Sequence, residues 1–453
     1  MRLTDLNSGR DIGANSLLLE FGEHRMVVDC GMHPKHVGKP SLPRLGLVEG
    51  TVDSIVLTHC HLDHLGSLPL LVRGNPRTRV LTSAANTLFV QRLLRNSLAV
   101  MGRQREELGV TDLPLYTAAD IERVEAALSA VPLNNPRRVG RGEDEVELTF
   151  HRAGHVAGAT GFSATHRGVR TFVTGDVHFV AQRTVPGAEF PRTPADILIM
   201  ECTRGATTTV PDASRAAEER RLLRGINRVI DRGGSVLIPA FAFGRMQELL
   251  LFLDEAAGRG ELVDCPIFCS GLGLDLCDYL AEAAKRTRQL GFDRKVLDRL
   301  GIIALRKQYT DPGRRPREAG IYLLSSGMLV EKTPAWRLAA NILDHEDSAV
   351  FFAGYCDPDS PGGQLIATPP GGEFEFKGLD HVAKVRAEVE RFHLSGHADR
   401  EELVAFAKDL SPRHIVLTHG DPPAREWMKA ALRDAVPRAQ VHDPEPGRPL
   451  DLA

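Results

Sequence analysis

Ser54-Ile55-Val56-Leu57-Thr58-His59-Cys60-His61-Leu62-Asp63-His64 runs from a short apolar stretch directly into a cluster of imidazoles and a carboxylate. The first residues read as a buried strand that stops at His59, and a helical pattern sets in from His64, so the cluster sits on a strand-to-helix loop. Zinc prefers such nitrogen and carboxylate ligands. In extended backbone His59 and His61 point the same way, while the start of the helix swings Asp63 and His64 to a neighbouring point in space. Two adjacent metal positions follow. A polar loop with chance histidines is a poor account of so dense a pattern.

On the N-terminal side, Ser16–Phe21 and Met26–Cys30 are apolar runs separated by the turn-like Gly22-Glu23-His24, which reads as a hairpin. On the C-terminal side, further buried strands are expected at 169–173, 197–200, 235–238, 321–324, 350–352 and 414–417, many of them alternating with helical stretches such as 246–257. That alternation predicts a layered α/β architecture. It restarts after Thr203 and runs to about Glu390, while the final segment again ends a strand at a histidine, Thr418-His419-Gly420. The middle therefore reads as an insertion, with a first part over 1–206, an inserted α/β domain over 207–388 and a return over 389–453. The proline-rich stretch from Pro437 to Pro449 reads as a surface extension.

A chain of 453 residues suits two or three domains, and its 42% hydrophobic and 25% charged fractions are those of a soluble globular protein. No apolar run of about eighteen residues is present to span a bilayer, and the N-terminus lacks the pattern of a secretion signal, so a cytoplasmic protein is expected. Seven cysteines, scattered without CxxC pairs, argue against a disulfide framework. A formal net charge of -3 means that any affinity for nucleic acid has to come from a local basic surface.

The HxHxDH pattern of residues 59–64 resembles the metallo-β-lactamase superfamily, and downstream segments extend the resemblance. Gly154-His155-Val156-Ala157-Gly158 is similar to the stretch that carries the superfamily's third histidine, and Thr174-Gly175-Asp176 stands where its metal-bridging carboxylate does. Three later motifs resemble the β-CASP nucleic-acid nucleases: Glu201 at the end of Ile197–Met200, His397 in Phe392-His393-Leu394-Ser395-Gly396-His397-Ala398-Asp399-Arg400, and His419 in Val416–Asp421. The likeness runs from Ser16 to Met428. It implies a metallo-β-lactamase αββα sandwich with an inserted α/β β-CASP domain between the first and second of these motifs. It also implies two Zn2+ ions, one held by His59, His61 and His155 and the other by Asp63, His64 and His419, with Asp176 and a hydroxide shared between them.

RNA-acting members resemble this chain in having histidine at the position of His419, where DNA-repair members carry valine, so the resemblance implies a ribonuclease acting on single-stranded RNA. Short bacterial members, ribonuclease J and archaeal homologues of the polyadenylation endonuclease share these segments. Since the chain shows no KH domain before its catalytic part, it looks like a short bacterial form. Ser325-Ser326-Gly327-Met328-Leu329 matches a family segment near the RNA backbone, but Glu331-Lys332 replaces its glycine pair, which makes Lys332 a candidate phosphate contact beside Ser325, Ser326 and Gly327. The stretch after Phe352-Ala353-Gly354-Tyr355 departs too. Arg245 and Lys307 are further phosphate candidates, although exposed basic side chains are usually just solvated. Chemically, a departing ribose oxygen needs a proton, and an imidazolium at His397 held by Glu201 can supply it; with Asp176 these are the expected catalytic residues. A small-molecule hydrolase of the same fold, a single-stranded DNA nuclease and a silent scaffold subunit remain as alternatives. Endonuclease against 5′-exonuclease action stays open, as does the oligomer, a homodimer included.

Overall fold

The computed structural model describes residues 1–208, 214–305, 316 and 318–452. The chain divides into two compact units, one made of Met1–Ala181, Val185–Thr209 and His397–Ala453, the other of Gln182–Thr184 and Val210–Gly396.

The first unit is built on two seven-stranded sheets. One carries the hairpin Leu17–Phe21 and His24–Val28 and continues in parallel through Ser54–Val56, Arg79–Ser83 and Leu128–Val131. The other carries Val146–Arg152 and Thr160–His166 antiparallel, then Val169–Val173, Ile197–Glu201 and His414–Thr418 in parallel. Residues two apart on a strand share a face. Leu17, Leu19, Phe21, Met26 and Val28 of the first sheet thus join Val146, Leu148, Phe150, Ile197 and Ile199 of the second in one buried core. Helices include Asn86–Leu108, Ala118–Ala127, Arg400–Leu410 and Pro422–Ala435. Among the described residues no helix is long and apolar enough to cross a membrane.

The C-terminal stretch is not an extension. Gln440–His442 adds in parallel to His414–Thr418, and Pro449–Asp451 pairs antiparallel with Arg2–Asp5 at the edge of the first sheet. Pro449 lacks a donor, which an edge strand tolerates.

Among the described residues of the second unit, six strands form one parallel sheet in the order Ile303–Ala304, Ile267–Cys269, Ile321–Leu324, Val236–Pro239, Ala349–Ala353, Glu388–Phe392. The central strands Ile321–Leu324, Val236–Pro239 and Ala349–Ala353 are buried along their whole length, which is why they read as continuous apolar runs rather than alternating ones. Trp336 packs against Phe374 and Phe376, which belong to the hairpin of Glu373–Phe376 and His381–Lys384. Because Glu388–Phe392 is the edge strand of this sheet, the second unit runs on to Gly396, and the first unit resumes at His397 rather than at 389. All seven cysteines are free, six of them buried and Cys265 half-buried.

Candidate metal centre

In the first unit the parallel strands deliver their carboxyl ends to one place. Asp29 follows His24–Val28, the histidine loop follows Ser54–Val56, Asp176 follows Val169–Val173, Glu201 ends Ile197–Glu201 and His419 follows His414–Thr418. Ligand sites in α/β folds gather at such ends. Asp29 and His419 adopt left-handed backbone, with φ of 59° and 47°, a conformation uncommon for residues that carry a side chain.

Two triads result. His59, His61 and His155 form one and Asp63, His64 and His419 the other, with the potential ligand atoms of each within 4.8 Å of one another. Nδ1 of His61 lies 3.2 Å from His59 Nε2 and 3.1 Å from His155 Nε2. In the second triad Nε2 of His419 lies 3.2 Å from His64 Nε2 and 3.3 Å from Asp63 Oδ2. A tetrahedral zinc shell with ligand distances near 2.0–2.1 Å sets neighbouring ligand atoms about 3.3 Å apart, so both donor sets fit the ion.

Asp176 stands between the triads. Its Oδ2 is 3.3 Å from His64 Nε2, 3.6 Å from His59 Nε2 and 3.8 Å from His155 Nε2, which brings one oxygen near nitrogens of both groups. Its Oδ1 is buried with no hydrogen-bond donor, and His419 Nδ1 lies 3.4 Å from it. A buried carboxylate oxygen left in that condition is costly unless a cation serves it. Burial alone would raise the Asp176 pKa, but His419 and His64 hold it well below the ordinary carboxylate range. Burial, reinforced by His64, pushes His59 well below its usual value, which leaves a neutral ring with a lone pair to offer.

Outer partners set the ring orientations. His64 Nδ1 lies 2.7 Å from Asp29 Oδ2, and Asp29 also accepts from the Thr58 amide and hydroxyl, each at 2.7 Å. Thr203 Oγ1 lies 2.9 Å from His419 Nδ1, leaving Nε2 to face Asp63. Gly31 makes the layout possible, since a Cβ there would fall 1.6 Å from the Asp63 carbonyl oxygen. Asp29 and Thr203 escaped the sequence reading; the available hint was an acidic residue ending an apolar strand, as Glu201 does.

Beside the triads, His397 Nδ1 lies 3.1 and 3.2 Å from the two oxygens of Glu201, whose Oε1 also accepts from the Val177 amide at 2.7 Å. The His397 ring is 4.3 Å from that of His155, and His155, Asp176 and His397 form a further group of potential ligands. Burial pulls the His397 pKa down, but Glu201, with Asp176 and Asp63, makes the net shift upward.

The remaining candidates belong to the second unit. The turn after Ile321–Leu324 holds Ser325, Ser326 and Gly327; the Val330 amide donates to Ser326 Oγ at 2.9 Å, and a Cβ on Gly327 would meet Phe241 at 2.9 Å. Lys332 is exposed and left-handed, with φ of 65°, so the position keeps a glycine-like backbone without the glycine. Arg245 does not present a solvated head: it is half-buried and donates to Gln182 Oε1 at 3.2 Å. Lys307 lies outside the described residues.

Family models match most of the chain: the metallo-β-lactamase superfamily over residues 9–224, the Beta-Casp domain over 246–365, and a Zn-dependent metallo-hydrolase RNA specificity domain over 382–442. The chain is 27% identical over 472 residues to the cleavage and polyadenylation specificity factor 73 of Drosophila melanogaster, an alignment that takes in 100% of this chain and 65% of that protein. It is 25% identical over 455 residues to RNase aCSPSF2 of Saccharolobus solfataricus, covering 99% of this chain and 84% of the relative. It therefore spans slightly less than two thirds of the fly protein's length. A crystal structure of a protein of unknown function from Enterococcus faecalis shares the fold at 14% identity, with a TM-score of 0.54 and 99% of each chain covered.

Proposed function

We infer that this chain, which belongs to the β-CASP family of the metallo-β-lactamase superfamily, is a ribonuclease that hydrolyses phosphodiester bonds of single-stranded RNA with two Zn2+ ions. The observation that carries the reading is the pair of ligand triads with Asp176 between them and the His397–Glu201 pair alongside. His59, His61 and His155 would hold one ion, Asp63, His64 and His419 the other, and Asp176 both. Zinc in such a site supplies Lewis-acid polarisation of the phosphoryl group and activation of water. Asp29 and Thr203 orient His64 and His419 by holding Nδ1 of each ring.

His397 serves as the general acid. With Nδ1 at the Glu201 carboxylate, Nε2 is the ring nitrogen that would pass its proton to the departing ribose oxygen as the phosphorus–oxygen bond breaks. In the second unit Ser325, Ser326, Gly327 and Lys332 are the proposed contacts to the RNA backbone. The RNA specificity match over 382–442 and the ribonuclease named among the relatives support RNA over a small ester or lactam.

The test is digestion of end-labelled single-stranded RNA beside DNA of the same sequence and a circular RNA. Cleavage of RNA is expected, and internal cuts in the circle would assign endonuclease action, whereas stepwise shortening from a 5′-monophosphate would assign exonuclease action. Hydrolysis of a thioester or lactam with the RNA left intact would overturn the reading.

A further inference from the structure

Three residues past Glu201, Arg204 enters the same neighbourhood from the main-chain side. The turn that carries it is tight, with the Gly205 amide donating to the Cys202 carbonyl at 2.9 Å and the Thr207 amide to the Arg204 carbonyl at 2.9 Å. It is also pressed onto the helix Pro422–Ala435, because a Cβ on Gly205 would fall 2.5 Å from the Ala424 carbonyl oxygen. From this anchored turn the Arg204 side chain, 11% exposed, pairs with the Asp399 carboxylate and directs Nη1 to the His397 carbonyl oxygen at 3.4 Å. Asp399 caps the helix Arg400–Leu410, and its amide donates to Glu402 Oε2 at 2.8 Å. On the other side of His397, the Ala398 amide donates to the Val177 carbonyl at 2.7 Å. Arg400 closes the seam, with Nη1 at 3.4 Å from the Gly205 carbonyl and its guanidinium over the Trp427 ring.

We propose that Arg204 is a positioning residue for His397, fixing the His397–Asp399 main chain while Glu201 fixes the imidazole; the proposal rests on the catalytic role of His397 stated above. One loop thereby grips the histidine at both ends. The ion pair is the stronger tie, since a guanidinium–carboxylate contact is charge-assisted whereas a 3.4 Å bond to a carbonyl is long. Without it, rotation of the peptide units at 397–399 redirects the ring, and a displacement of about 1 Å at a reacting group costs up to about 10²-fold in rate.

The experiment measures steady-state RNA cleavage by the zinc-loaded full chain carrying Arg204→Met, Arg204→Lys, His397→Ala and the Arg204→Met/His397→Ala double change. Zinc content and melting temperature are followed in each. Arg204→Met is expected to lower kcat about 10- to 100-fold with KM changed less than about threefold, and Arg204→Lys to recover most of the loss. The double variant should be no slower than His397→Ala alone, because residues that act through one another are non-additive. Additive losses, a raised KM with kcat intact, or a lysine variant as slow as the methionine one would each overturn the positioning role. If Arg204→Met fails to fold, Arg204→Gln carries the same expectations. Should His397→Ala prove not to be an acid variant, losing RNA and activated-ester hydrolysis alike, the acid reading falls, and the double variant still decides whether Arg204 works through His397.

Discussion

Glu201 is 1% exposed in its side chain and His397 14%, so their contact is shielded on one side and open on the other, the arrangement a proton donor needs. The chemistry predicts how its loss will appear. A ribose alkoxide is a poor leaving group that needs a proton, whereas nitrophenolate departs without one. His397→Ala is expected to cripple RNA cleavage while sparing much of the hydrolysis of bis-nitrophenyl phosphate, and Glu201→Gln to follow less severely, in paired assays with zinc content measured. Equal loss on both substrates with zinc retained would show that the histidine organises the site instead. Burial pushes Asp5 up to about 6, against partial relief from the Asn7 amide and Arg425. A carboxyl that binds its proton more tightly when folded makes the protein less stable as pH rises from about 4 through 6. The cost is fully present above that window and amounts to about 3 kcal/mol. Asp5→Asn should therefore raise the melting temperature at pH 8 and leave it nearly unchanged at pH 4.

At the level of elements, the histidine loop, Glu201 and His419 stand where apolar runs stop, which local order shows, whereas His155, Asp176 and His397 were expected only from the resemblance of their segments to the family. Asp29 and Thr203 were legible in neither way, because what defines them is contact with His64 and His419, far away in the chain. The first unit resumes at His397 instead of the expected 389 for a related reason: Glu388–Phe392 directly precedes the histidine motif, and only its pairing with Ala349–Ala353 assigns it to the other sheet. Likewise, proline and glycine around 437–449 look like loop chemistry, while the pairing of Pro449–Asp451 with Arg2–Asp5 depends on the opposite end of the chain. That pairing carries Leu452 into the core, where it is 1% exposed. Leu452→Ala should cost about 2–4 kcal/mol, read as a lowered denaturation midpoint, whereas a loose extension would cost nothing.

For the molecule as a whole, a net charge of -3 gives no general attraction to RNA, so binding has to arise from local basic groups such as the exposed Lys332. RNA affinity should fall steeply between low and physiological salt, and Lys332→Ala should reduce the salt slope. An affinity indifferent to salt would remove the phosphate contacts from the account. If RNA cleavage depends on zinc in both triads, titrating zinc into the metal-stripped chain while following cleavage of end-labelled single-stranded RNA will show it. No cleavage is expected without metal, then a rise that saturates near two zinc ions per chain, and no rise at all in Asp176→Ala. Full cleavage by the metal-free chain, or saturation at a single ion, would contradict it.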